Sequence, residues 1–434
     1  MSFLRSSLLL SFVSYLCLAV GVVQAMVLSR ALGPEGVGQL SLIRQLFLLG
    51  TQLASLGLPM AMIRAINNED ISPYSALRVV TYSCIVLSVL AVIVISSILT
   101  IGSDFFPKTT LLIYLSLLIS IPTVISRIVY YNFNAALLRA KTMALISFLP
   151  VLFCVVCYLF LWRFSVISLE KAVLVESITL GAFGMILAMA LSRLPKGVLV
   201  SCSVAEWKII WNYLPFAFQL IATDFLILIN GYLLLVLLRW LSNDFAAVGY
   251  FSRAISLSAL LVVAVQSLQR FIYAKWVLSK KEERSQQVEQ TVNIVLTVAY
   301  FAGGFIVLLA RPLIIILFGI EFLPAVPIAR ITTIGAGIFL IVQLLQSFFN
   351  ASGKAIYNIF VLIFGLFINL LFGCIFISFW NETGCAYTYI AGCIAMAILA
   401  IIIGHKKYNL NLRAMFVPSP RLFFGAIRAV RDKL

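Results

Sequence analysis

Charged side chains are scarce in this chain of 434 residues, and acidic ones are the scarcest. Asp, Glu, Lys and Arg make up 11% of the sequence, against about a quarter in a soluble domain. Hydrophobic residues account for 63%. His405 is the only histidine, so a metal centre would have few ligands to draw on. The composition therefore excludes a water-soluble globular protein and argues against a metalloenzyme.

The cysteines do not indicate a redox or metal site either. Cys154 and Cys157 form a CxxC pattern, but it lies inside the apolar run FLPVLFCVVCYLFLW. Two cysteines one helical turn apart in such a run are typical of small core residues.

Apolar runs of roughly 20 residues, each followed by a short polar stretch, fill the chain. This pattern predicts an all-α integral membrane protein, because a β-barrel would show alternating ten-residue strands instead. We expect about twelve transmembrane helices. Their predicted spans are residues 8–28, 39–60, 79–102, 109–131, 143–162, 172–192, 213–238, 253–277, 291–317, 325–349, 357–380 and 384–404.

The first residues have the features of a signal peptide, with Arg5 before an apolar stretch and a small residue at Ala25. The apolar stretch continues to Leu28, however, which is typical of a retained first helix. We expect this helix to be part of the membrane domain.

The net charge of +16 is distributed along the chain in a way that argues against nucleic-acid binding. Most of the basic residues lie in short loops between apolar runs, where they set orientation in the membrane. With the predicted spans, one side of the membrane receives roughly three times as many Lys and Arg residues as the other. Both termini are therefore predicted to be cytoplasmic.

Three short stretches recur at a separation of about half the chain, in the same order and between equivalent helices. They are VGQLSLIRQL and VGYFSRAISL (from Val37 and Val248), GSDFFP and GIEFLP (from Gly102 and Gly319), and FNA (from Phe133 and Phe349). The repeat predicts two six-helix lobes, at residues 1–200 and 205–405, around a central cavity of the kind used for alternating access. The basic segment 406–434 is expected to be a cytoplasmic tail, either an interfacial helix or disordered.

One predicted helix carries an arginine that an apolar segment should not contain. In LLISIPTVISRIVYYN, Arg127 lies on the same helical face as Ser116, Ser120, Thr123 and Asn134. A lone arginine in hydrocarbon costs several kcal/mol or more. This polar stripe is therefore predicted to face a water-filled cavity.

Other spans carry polar residues at helical spacing. Arg44 lies in the second span, Gln219 and Asp224 in the seventh and Gln343 in the tenth. Interhelical hydrogen bonding is the alternative explanation for the uncharged residues among them. Asp224 is either a salt-bridge partner for an embedded arginine or a carboxylate that couples transport to protons or cations.

The sign of these charges indicates an anionic ligand. Arg44 and Arg127 are predicted to line the cavity, with Arg30, Arg64 and Arg270 near its mouths. The planar guanidinium fork of arginine suits phosphate oxygens in particular.

Residues 29–64, SRALGPEGVGQLSLIRQLFLLGTQLASLGLPMAMIR, resemble the N-terminal signature of Wzx-type flippases for O-antigen and exopolysaccharide. These form the polysaccharide transporter branch of the multidrug/oligosaccharidyl-lipid/polysaccharide (MOP) superfamily. The matching residues are Arg30, Leu32, Gly33, Pro34, Glu35, Gly36, Gly57 and Arg64.

The resemblance implies a non-enzymatic flippase of the bacterial inner membrane that moves undecaprenyl-diphosphate-linked oligosaccharide from the cytoplasmic to the periplasmic leaflet. It implies no cofactor beyond a proton or sodium gradient, and a polysaccharide polymerase and a chain-length regulator as partners. A cation-coupled multidrug antiporter of the same superfamily is the alternative, although acids would then be expected in the cavity. A membrane-embedded polymerase or ligase would need a larger extramembrane loop than the longest one here, which has about twenty residues.

Overall fold

The computed structural model describes residues 3–102, 105–106, 110–192, 204–278, 281–411 and 414–415. Within these ranges the chain is α-helical and contains no strand, as the sequence predicts. The chain divides into two compact units, Met1–Tyr232 and Leu233–Leu434. The division lies inside a helix, about 30 residues after the boundary expected from the repeat.

The helices of the first unit follow one another along the chain. They are α1 (Phe3–Ser55), α2 (Leu58–Asn67), α3 (Pro73–Ile101), α4 (Leu111–Ala136), α5 (Ala140–Arg163), α6 (Leu169–Glu176), a π-helical segment (Ser177–Phe183), α7 (Gly184–Ser192), α8 (Val204–Asn212) and α9 (Leu214–Ser242), which continues into the second unit.

The second unit contains fewer but longer helices. They are α10 (Phe245–Leu278), α11 (Lys281–Phe318), a short 3-10 turn (Ile320–Phe322), α12 (Ala325–Ala351) and α13 (Ile356–Tyr408). The predicted tail helix after residue 420 lies outside the described residues.

Ten helical stretches in the described part of the chain are long and apolar enough to cross a membrane, and two of these are double. The helix α1 is interrupted at Gly33, where φ is 65° and ψ is −177°, and Pro34 follows. The helix α13 is interrupted at Asn381, where φ is 46°. Each interruption leaves a membrane-length helix on either side, so the described chain contains the twelve segments that the hydropathy predicts.

The second predicted span ends earlier than the sequence suggests. It was expected to reach residue 60, but α1 stops at Ser55, and Leu56 and Gly57 adopt left-handed φ values of 40° and 80°. The chain then starts the short helix α2, which has Pro59 in its first turn. A left-handed pair breaks a helix because its N–H and C=O groups leave the i→i−4 ladder.

The recurring stretches lie at similar places in the order of the elements. In each unit, a long helix ends near a GSDFFP or GIEFLP stretch and the next helix carries FNA at its C-terminal end. These paired helices are α4 in the first unit and α12 in the second. Matched breaks at matched places are expected when two halves share one fold.

The sixth span of the chain, Leu169–Ser192, is formed by α6, the π-helical segment and α7. A π-helix is rare and is found frequently at functional sites. The first turns of this span pack on an apolar cluster that includes Leu28 and Ile43 of α1 and Tyr158 of α5. This packing places the start of the sixth span against both halves of α1.

We predict that Gly57→Ala destabilises the first unit by about 1–2 kcal/mol, because an L side chain is strained at this positive φ. A Cβ at Gly57 would also lie 3.0 Å from the backbone of Ala217. The measurement is the thermal unfolding midpoint in detergent. Gly21→Ala is the control, since no atom lies within 4 Å of its added Cβ; an equal loss in both variants would contradict the prediction.

Candidate functional site

Arg44 on α1 forms an ion pair with Glu176 at the end of α6. The guanidinium donates through Nε to Oε2 of Glu176 at 2.9 Å and through Nη2 to Oε1. Two parallel N–H···O bonds make a side-on pair, the strongest geometry that arginine and a carboxylate adopt. The Arg44 side chain is 30% exposed and that of Glu176 is 15% exposed, so this pair is only partly screened by solvent.

Two further side chains approach the same carboxylate. Gln24 on α1 donates through Nε2 to Oε1 of Glu176 at 2.9 Å. The Tyr158 hydroxyl on α5 lies 2.8 Å from the carbonyl of Ala172 and 3.2 Å from Oε1 of Glu176, and its single proton serves one of these acceptors at a time. Gln24, Arg44, Tyr158 and Glu176 are called the Arg44–Glu176 network below.

The network borders the apolar cluster of the first unit. Ile43, next to Arg44, is 1% exposed, and Tyr158 is fully buried. Val173, one turn before Glu176, is 2% exposed. Such a wall lowers the local dielectric and strengthens the attraction within the pair.

Arg127 on α4 has a different environment. Its side chain is half-buried, and its Cδ would lie 2.7 Å from a Cβ added to Gly184 of α7. Cys17 of α1 lies close enough to interact with the guanidinium electrostatically, and the Cys17 thiol donates to the carbonyl of Ser147 at 3.9 Å. Among the described residues, no carboxylate oxygen lies within 4.0 Å of the Arg127 guanidinium.

The sixth span therefore contacts both predicted cavity arginines. Glu176 pairs with Arg44 just before the π-helical segment, and Gly184 supports Arg127 just after it. The two positions are at most about 12 Å apart along the helix axis, at 1.5 Å per residue. In this unit one embedded guanidinium is neutralised by a carboxylate, and the other is not neutralised by any described one.

The polar stripe of α4 faces neighbouring helices more than the sequence predicts. Ser116 and Asn134 are fully buried and Ser120 is 7% exposed. The hydroxyls of Ser116 and Thr123 donate to carbonyls of their own helix, and α4 packs against the sixth span. The prediction that the whole stripe faces water is wrong for these buried residues. Thr123 and Arg127 remain partly exposed.

Asn134 fits the packing explanation. Its Nδ2 donates to Oγ of Ser192 at the end of α7 and to the carbonyl of Tyr130, both at 2.8 Å. The same helix ends are joined by Arg139, which donates to the carbonyl of Ser192 at 3.0 Å. These bonds hold α4 to α7 rather than lining a cavity.

The remaining predicted site residues are dispersed. Arg30 and Arg64, expected at the cavity mouths, are exposed, as are Gln219 and Asp224 on α9. Gln343 on α12 is 6% exposed. The side chain of Arg270 is not among the described ones. Within the described ranges, no three His, Cys, Asp or Glu side chains come together as metal ligands.

Asp224 is not the partner of either cavity arginine. That pairing was one of its two predicted roles, but Glu176 neutralises Arg44, and in the described part of the chain no arginine lies within 4.0 Å of the Asp224 carboxylate. The coupling role remains a prediction.

Gln24, Tyr158 and Glu176 were not predicted from the sequence as members of the site. A signal existed for one of them, since Glu176 is one of the few acids inside a predicted span and embedded charges usually pair. A second ion pair was also missed: Arg78 on α3 donates through Nη2 to both carboxylate oxygens of Glu206 on α8, at 2.8 and 2.9 Å.

We predict that Asn134→Ala lowers the free energy of unfolding by about 0.6–1 kcal/mol, the order of a hydrogen bond between membrane helices. Ser192→Ala added to it should cost little more, because the shared bond is already lost. Thermal unfolding of the single and double variants measures this coupling. Asn132→Ala is the control, since the Asn132 amide donates within its own helix to Ile128; additive losses at positions 134 and 192 would contradict the packing role.

Comparisons with known proteins agree with this fold. A family model described as "polysaccharide biosynthesis protein" matches residues 3–273. The structure is similar to an inward-facing multidrug resistance MATE family transporter of the MOP superfamily, at 14% identity, 92% of this chain, 98% of that chain and a TM-score of 0.67. It is also similar to the lipid II flippase MurJ in an inward closed conformation, at 12% identity, 97% of this chain, 93% of that chain and a TM-score of 0.66.

No curated protein matches the chain in sequence. The family model covers more than half of the chain, and both structural neighbours have the helical transporter fold that the sequence predicts. The chain therefore belongs to the polysaccharide biosynthesis protein family, and it shares its fold with the MATE transporter and with MurJ.

Proposed function

We propose that this protein is a flippase that moves undecaprenyl-diphosphate-linked oligosaccharide from the cytoplasmic to the periplasmic leaflet of the bacterial inner membrane. The observation that carries the proposal is Arg127, a half-buried cation inside a membrane span with no described carboxylate within 4.0 Å. A permanent charge in this position is costly unless it serves a ligand or a wet cavity. Family membership supports a polysaccharide precursor as that ligand.

The physical problem of this transport is the headgroup. A diphosphate and a chain of hydroxyls lose their hydration in hydrocarbon, at a cost that prevents spontaneous crossing. Arginine replaces water around phosphate oxygens with paired N–H donors in fixed geometry. The polyprenyl tail needs no such replacement and stays in lipid, so the protein has only to carry the polar part.

The similarity to the lipid II flippase MurJ supports a lipid-linked substrate, because that protein's fold extends over 97% of this chain. We propose alternating access as the mechanism, with capture of the diphosphate on the cytoplasmic side and both termini cytoplasmic. No bond of the substrate is made or broken in this cycle. A polysaccharide polymerase and a chain-length regulator would act on the product after its release.

A multidrug antiporter is the second candidate. It is favoured by Asp224, an exposed carboxylate within a membrane span, since such a group suits a cationic drug or a coupling cation. The MATE fold is compatible with either substrate. Drug resistance conferred on an efflux-deficient host, together with normal surface polysaccharide in a strain lacking the gene, would favour this function over the flippase.

We predict that Arg127→Ala reduces surface polysaccharide at least tenfold in cells that lack the native copy, since a lost charge-assisted contact to phosphate is worth about 1.5–3 kcal/mol. Arg127→Lys should retain part of the activity, because it keeps the charge but not the bidentate fork. Surface polysaccharide is measured at matched protein levels. Arg163→Ala, which removes an exposed arginine at the end of α5, is the control; full activity of Arg127→Ala would remove this residue from the mechanism.

Coupling to an ion gradient is proposed for Asp224. The Asp224→Asn variant should transport labelled lipid-linked oligosaccharide in reconstituted vesicles at a rate that responds less to an imposed pH gradient than the wild-type rate does, because the amide cannot exchange a proton. Glu206→Gln, which changes a carboxylate already paired with Arg78, should keep the response. An unchanged gradient dependence in Asp224→Asn would reject the coupling role.

A further inference from the structure

Arg44 and Arg127 are both candidate ligands for a diphosphate, but the structure presents them differently. The Arg44 guanidinium is already engaged by both oxygens of Glu176, and 30% of its side chain is exposed. A side-on carboxylate occupies the same pair of N–H donors that a phosphate would take. Arg44 can therefore bind a phosphate with this fork only if Glu176 leaves it.

We propose that Glu176 is an internal competitor for the substrate anion: the diphosphate displaces Glu176 from Arg44, Glu176 takes up a proton from water, and its later deprotonation and return to Arg44 releases the headgroup. The proposal rests on the flippase function argued above. In this exchange Arg44 remains a cation throughout. Glu176 loses its negative charge when it takes up the proton, and the phosphate supplies the negative charge that then faces Arg44.

The surroundings of Glu176 make proton uptake the expected response. A carboxylate stripped of its arginine beside a buried apolar cluster would be an uncompensated charge, and such groups take up a proton rather than remain ionised. The groups that face Glu176 are Arg44 and Gln24 on α1, and Tyr158 and Cys154 on α5. In this set the guanidinium is the one cation, so once phosphate has taken the guanidinium fork the other members of the set that face Glu176 are neutral.

These neutral neighbours can hold Glu176 in either protonation state. Gln24 and Tyr158 donate to the carboxylate as it stands. The Tyr158 hydroxyl has Ala172 as a second acceptor at 2.8 Å, so it can give up its bond to Glu176 without being left unpaired. The amide oxygen of Gln24 can accept from a carboxylic acid after rotation. Gln24 and Tyr158 can therefore hydrogen-bond the Glu176 side chain while the substrate occupies Arg44.

The position of Glu176 in its helix also favours exchange. It is the last α-helical residue before the π-helical segment, and that segment ends one residue before Gly184, against which Arg127 packs. A phosphate group bound at Arg44 thus lies within reach of the span that supports Arg127. A diphosphate has two phosphoryl groups, one for each arginine. Arg44 is already paired with Glu176, and Arg127 has no described carboxylate within 4.0 Å.

The test measures binding of undecaprenyl diphosphate, without sugar, to the full chain in nanodiscs. Glu176→Gln should bind about tenfold more tightly than wild type at about pH 8, within the 5–150-fold range of typical coupling between sites. Calorimetry in buffers of different ionisation enthalpy should show proton uptake by wild type that Glu176→Gln lacks.

Controls separate this competition from general effects. Glu206→Gln breaks the other described Arg–Glu pair of the first unit and should leave affinity unchanged. Arg44→Gln combined with Glu176→Gln should bind more weakly than Glu176→Gln alone, because the gain needs the released guanidinium. If Glu176→Gln alone does not fold, proton uptake is compared between wild type and the double variant Arg44→Gln/Glu176→Gln. The competitor role then requires uptake by wild type and none by the double variant.

The outcomes distinguish the two proposals. Wild type that binds undecaprenyl diphosphate without taking up protons, or a Glu176→Gln variant that binds no more tightly, would overturn the competitor role while leaving the flippase function intact. A phosphate that binds beside an arginine tends to release a proton, because the cation favours its ionised form. Such release is opposite in sign to the proton uptake expected from Glu176, so the two cannot be confused. Absence of binding by wild type and by every variant would reject both proposals together.

Discussion

The cost of a charged side chain in an apolar bundle is the constraint on which the first unit depends. A guanidinium placed among membrane helices must find a counter-charge, water or a ligand, since its free energy in hydrocarbon is otherwise unfavourable by several kcal/mol. Arg44 meets this requirement with Glu176. For Arg127 no described carboxylate lies within 4.0 Å of the guanidinium, which leaves water or a ligand to compensate its charge. The contrast between them suggests that the unit is organised around an anion rather than around packing alone.

The architecture could be predicted from the sequence because the bilayer fixes the length of each helix. Spans recognised by hydropathy coincide with the observed helices to within a few residues in most cases. The turn around Gly33 and Pro34 and the repeated FNA stretches marked equivalent places in the two halves. The early end of the second span was less predictable, since a left-handed Leu56 leaves no signature in composition. The boundary between the two units, which lies inside α9, also leaves no signature in the composition.

The candidate site was predictable only in part, because residue spacing identifies a face of a helix but not what that face meets. The stripe on α4 was recognised correctly as one face, yet Ser116 and Thr123 satisfy their hydroxyls on carbonyls of their own helix. A hydroxyl therefore reports little about water in a membrane helix. Charges are more informative, and Arg44 and Glu176 could have been paired on that ground. Gln24 and Tyr158 could not, since their roles depend on how α1, α5 and the sixth span meet.

In the proposed mechanism, the sixth span is the element that lets both arginines act on one ligand despite their different states. Its glycine at position 184 lets the Arg127 stem approach the helix closely, and its glutamate at position 176 holds Arg44 about two turns away. A site with two equally exposed cations would bind an anion tightly and release it slowly. One cation with an internal counter-anion lowers the net affinity without reducing the number of contacts available at the moment of transfer. A transporter benefits from such a balance, because its substrate must be bound firmly enough to enter and weakly enough to leave.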